Sequence, residues 1–65
     1  MENIVRIVNN LRYSQKVMMI RIFCSVIEAD WSDVPDVECL ERFDQMSDEV
    51  KVLMYLTTIK VIGDV

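Results

Sequence analysis

From Val17 to Ala29 the only polar residues are Arg21, Ser25 and Glu28, and with Ser14 they recur at spacings of seven, four and three. That pattern puts them on one narrow stripe of a helix whose remaining circumference is apolar. Such a helix needs cover on most sides, and little chain is available to provide it. A domain of 65 residues buries only roughly 60% of its unfolded surface. Its core rarely supplies more than about 3–5 kcal/mol. Yet 52% of the residues are hydrophobic, so disorder is excluded and an outlet for apolar surface is required. Self-association is the simplest outlet. Met18, Ile22, Val26, Leu53 and Leu56 are the candidate side chains for a homodimer interface.

The other segments are also helical in pattern. Apolar residues fall at Met1, Ile4, Val5, Ile7, Val8 and Leu11, with polar residues between them. Residues 2–29 are expected as one helix or as two with a bend near 10–14, where Ser14 could cap a second helix. Asp30 to Pro35 breaks the periodicity, because proline disfavours a helical conformation at the residue before it and suits a first turn. A short helix over 35–45 follows, with Asp33 as N-cap. Val37, Leu40 and Phe43 are expected inside, and Glu38, Glu41 and Asp44 outside. Ser47-Asp48-Glu49 is the clearest helix start, a capping hydroxyl with two carboxylates at the positive end of the helix dipole. The helix over 48–62 would show Val50, Leu53, Met54, Thr57 and Val61 on one face, and Gly63 is a natural stop. A strand at 55–62 is the rival, from its β-branched residues. The expected architecture is all-α, a single domain of three or four helices in a hairpin or bundle, completed by pairing. The short acidic helix would lie across one end.

Charge is distributed unevenly. Residues 1–27 carry a net +3 and residues 50–65 a net +1, whereas residues 28–49 hold nine acids against Arg42, a net −8. Two helix N-termini account for several of these acids. The remainder would suit a partner protein with a basic surface. Asp30, Trp31, Asp33, Asp36, Glu38, Glu41 and Asp44 are the candidate contact residues. Trp31 is included because tryptophan is enriched at binding hot spots, although it could instead cap the core.

Other classes of function find little support. The chain has no histidine and no paired nucleophile and base, so an enzyme is not expected. No cofactor or metal is expected either. Cys24 and Cys39 stand 15 residues apart without a CxxC pair, and read as small buried hydrophobes. The acids from Glu28 to Glu38 lack the glycine and spacing of an EF-hand. The longest unbroken apolar run, Val17 to Ile20, is far short of a membrane span. No signal peptide is evident, so the expected compartment is the cytoplasm, of a host cell if the protein is viral. Direct nucleic-acid binding conflicts with a pI near 4.5. A helix-turn-helix over Val37 to Ile59 would open its second helix with Asp48-Glu49, which phosphate would repel.

A short acidic chain beginning at Met1 and carrying no catalytic motif resembles, in style, the small accessory proteins of bacteriophages and mobile elements. That resemblance implies a non-catalytic binder that inhibits a host protein, and it carries no residue-level role. A dimerisation module acting through apolar helix faces is the alternative, and a helix-turn-helix regulator a more distant one.

Overall fold

Residues 2–29 form two helices rather than one. In a computed structural model, which describes residues 2–63, α1 spans Glu2–Asn9, α2 Tyr13–Val26, α3 Asp36–Asp44 and α4 Asp48–Gly63. The break comes at Asn10-Leu11-Arg12. The backbone of Arg12 is extended there, and its N–H donates to Gln15 Oε1 at 3.0 Å. Arg12 is therefore the N-cap, and Ser14 lies inside α2 rather than capping it. Among the described residues there is no strand, so the β-branched run Thr57 to Ile62 is helical. The helix that starts at Ser47 and is anchored by buried Met54 and Thr58 runs on through them against their β-propensity, although Ile59, Val61 and Ile62 are exposed.

The end of α2 comes at Val26, three residues before the expected Ala29. Glu28 adopts φ 59°, the left-handed region. Its N–H donates to the Ser25 carbonyl at 3.3 Å, and the Ala29 N–H donates to the Cys24 carbonyl at 2.8 Å. These two bonds define a Schellman C-cap, with Glu28 where glycine is usual. Ala29 then packs against the buried cluster that includes Cys24, the apolar contact that accompanies the motif.

Asp33 is not an N-cap. It lies in a turn closed by the Val34 N–H donating to the Trp31 carbonyl at 3.0 Å, and Pro35 precedes α3 with no side-chain cap. Ser47 does cap α4, its Oγ accepting the Val50 N–H at 3.3 Å.

The core draws on every helix: Val8 from α1, Met19, Ile20 and Cys24 from α2, Cys39 and Phe43 from α3, and Met54 from α4. α4 packs on α1 and α2, and α3 packs on α2. The inner face of α3 is rotated from the expected one, and packing selects the inner face of α4. In α3, Cys39 and Phe43 are buried while Val37 is 60% exposed. Steps of three residues each fall about 60° short of a turn, so Val37 and Phe43 diverge by about 120°. In α4 the buried row is Lys51, Met54 and Thr58, and Val50, Leu53 and Val61 are exposed. Both polar members of that row have a physical accommodation. The Lys51 ammonium sits 5.2 Å from the centroid of the Phe43 ring, with its stem in the core. The Thr58 hydroxyl donates to its own-helix carbonyl at Met54, 2.9 Å away, and lies 3.4 Å from that of Met19 across the α2–α4 seam.

Candidate functional site

The acidic segment is held by one basic side chain from another helix. Arg21, at the middle of α2, donates to the Trp31 carbonyl at 2.6 Å, the Val34 carbonyl at 2.8 Å and Asp36 Oδ1 at 2.9 Å. A guanidinium suits this task because its five N–H groups fan out in a fixed plane. Its pKa is raised first of all by the hydrogen bond to Asp36. The segment from Trp31 to Asp36 is therefore fixed to α2, and the direction of α3 follows. Sequence reasoning placed Arg21 only in a polar stripe. The available signal was a lone base in an apolar run shortly before an acid-rich loop.

The seven candidate contact residues divide accordingly. Asp36 is bonded to Arg21, and Glu38 pairs with Arg42 at 3.5 Å. Asp30 accepts from the Ser32 hydroxyl at 2.6 Å and the Ser32 N–H at 3.2 Å, and these bonds lower its pKa, the hydroxyl most. Trp31 is half-buried against the core, with the Arg42 guanidinium 4.9 Å from its ring centroid. It thus caps the core end rather than projecting outward. Asp33, Glu41 and Asp44 are exposed. Asp36, Glu38, Glu41 and Asp44 thus make an anionic outer surface on α3, although Asp36 and Glu38 already have basic neighbours within the chain.

The apolar surface is more one-sided. Among the described residues seven hydrophobic side chains are buried, whereas twelve large ones are exposed, six of them on α4. Of the five candidate interface residues, Met18, Val26, Leu53 and Leu56 are about half exposed, between 48% and 56%, and Ile22 is half-buried. A shallow cleft of about 190 Å³ runs along the α2–α4 seam, lined by Leu11, Gln15, Met18, Tyr55, Ile59 and Ile62 among others. Met18 of α2 and the exposed flank of α4 are therefore continuous.

Both cysteines are buried and unbridged in the same cluster. Burial raises the Cys24 pKa, and the charge of a neighbouring Cys39 thiolate would add to that rise. Among the described residues no group of three histidine, cysteine or carboxylate side chains converges as a metal site would require. No helix there is long and apolar enough to cross a membrane. α3, the three residues Gln45-Met46-Ser47 and α4 have helix-turn-helix spacing. However, α3 packs chiefly on α2, and the outward row of α4 holds Leu53 and Leu56.

Comparison with models of known protein families, with curated proteins and with solved structures gave no match.

Proposed function

We propose that this protein is a non-catalytic interaction module that pairs with a second copy through the outer faces of α2 and α4. The pair then presents the anionic surface of α3 to a basic partner protein. The observation that carries the proposal is the excess of exposed over buried large apolar side chains, concentrated on α4. Single exposed apolar residues are ordinary, but a contiguous row of them marks an interaction surface. The acidic end contributes less to the assignment, because Arg21 and Arg42 already partner Asp36 and Glu38. In the accessory-protein reading the basic partner is a host protein.

Sedimentation of the wild type and of a Leu53→Glu/Leu56→Glu variant at micromolar concentration tests the assembly. The wild type should sediment as a dimer and the variant as a folded monomer, with pairing that tolerates added salt. A wild type that stays monomeric at hundreds of micromolar would exclude it. The acidic surface has its own test. Reversing Glu38, Glu41 and Asp44 to Lys should abolish capture of a basic partner while leaving the dimer and its helicity intact.

A further inference from the structure

The outward row of α4 is self-complementary when read in both directions. Glu49, Leu53, Leu56 and Lys60 are all exposed, and their spacings of four, three and four keep them within an arc of about 60°. The row therefore reads acid, leucine, leucine, base from one end and base, leucine, leucine, acid from the other. We propose that two copies pair through α4 in antiparallel register, about a two-fold axis that runs between the two helices, level with the midpoint of Leu53 and Leu56. This rests on the assembly proposed above and adds its geometry.

In that register Glu49 of each copy faces Lys60 of the other, and Leu53 faces Leu56. A two-fold interface requires that if residue i meets residue j, then j meets i, and the row satisfies this without any change of spacing. The flanks follow the same rule: Val50 lies on the same side of the row as Thr57 of the other copy, and Val52 on the same side as Ile59 of the other copy. Val50 and Ile59 are exposed, so they are available to widen the contact. Glu49 and Lys60 lie 11 residues apart, or about 16 Å along a helix. The two ion pairs therefore bracket a leucine centre about three turns long, an apolar middle with a charged rim. A parallel pairing of the same row would set Glu49 against Glu49 and Lys60 against Lys60, so charge selects the antiparallel arrangement. The acidic α3 surfaces, which adjoin the start of α4, are thereby sent to opposite ends of the pair.

Charge reversal separates this register from pairing in general. Glu49→Lys alone sets the introduced lysine against Lys60 of the second copy. Lys60→Glu alone sets the introduced glutamate against Glu49 of the second copy. Each variant should weaken the dimer about tenfold or more at low salt, by losing two ion pairs and gaining two repulsions. The double variant Glu49→Lys/Lys60→Glu restores both pairs within a homodimer and should recover wild-type affinity. Sedimentation equilibrium at low salt reads the two single variants and the double variant, with circular dichroism confirming that each is helical. Loss in both single variants with recovery in the double variant supports the register. If the single variants dimerise as well as wild type while Leu53→Glu/Leu56→Glu does not, the register is wrong and the apolar pairing stands. If the wild type does not dimerise, both are overturned.

Discussion

Replacing Glu28 by glycine should stabilise this protein, although it removes a charged surface residue and adds the most flexible one. Glu28 holds φ 59° at the end of α2. In the left-handed region the Cβ of an L-residue crowds its own chain, at roughly 1–2 kcal/mol. Glycine avoids that strain but loses more entropy on folding, an opposing effect of about 0.5–1 kcal/mol. The balance leaves a gain of about 0.5–1 kcal/mol. A carboxylate at a helix C-terminus is also unfavourable, by up to about 1 kcal/mol where screening is weak. Two controls separate these effects. Glu28→Gln removes the charge and keeps the strain, so it should gain no more than a few tenths of a kcal/mol. Glu28→Ala removes the charge and the side chain but keeps a Cβ, so it should resemble Glu28→Gln. Urea unfolding followed by helical circular dichroism is the assay, at a single protein concentration because pairing would shift the midpoint. With a slope near 1 kcal/mol per molar urea for so small a domain, the glycine midpoint should rise by about 0.5–1 M. The reasoning fails if Glu28→Gly is no more stable than Glu28→Ala.

Arg21→Lys keeps the charge but not the planar fork, so the loop at 31–36 should exchange its amide hydrogens faster, with Val34 N–H most affected, while α1 and α4 change little. Asp30 has a lowered pKa, so its contribution to stability is present above its unfolded pKa and fades as pH falls through the lower folded value. Ser32→Ala should move the Asp30 titration upward toward the ordinary carboxylate range, as read by carboxyl carbon NMR. Both thiols are buried and the Cys24 pKa is raised, so a thiol reagent at neutral pH should label the native protein slowly and the urea-unfolded protein at once. Rapid labelling of Cys24 in the native state would contradict its place in the core.

The starts of α3 and α4 were more legible in the sequence than the helix faces, although Asp33 does not cap α3 and the α2 start at Arg12 carried no such signal. Ser47 and Pro35 act locally, through a hydroxyl or a ring beside the backbone group concerned, so their effect can be read from neighbours in the chain. The end of α2 had no glycine to mark it, because Glu28 occupies the left-handed position at a cost in strain. The inward face of α4 was unreadable for a different reason. Apolar residues surround that helix, so periodicity cannot choose among rotations, and the choice falls to tertiary contacts of Lys51 and Thr58 that sequence patterns count as polar. Val37 was misplaced because steps of three drift around a helix, whereas Cys39 and Phe43 are four apart. Among the candidate site residues, the outward placement of Glu38, Glu41 and Asp44 was legible. The engagement of Asp36 by Arg21 depends on a meeting of residues 15 apart in sequence, which no local pattern records.

The clamp at Arg21 grips the acidic segment mainly by main-chain oxygens, those of Trp31 and Val34. Carbonyls are common to every amino acid, so this anchoring asks little of the side chains that the segment displays. Asp33, Glu38, Glu41 and Asp44 can therefore vary in size and sign while the backbone beneath them keeps its course, and Arg21 cannot. The chain thus separates the means of holding a surface from the chemistry shown on it. A library randomised at those four positions should retain its helicity broadly and diverge in what it recognises.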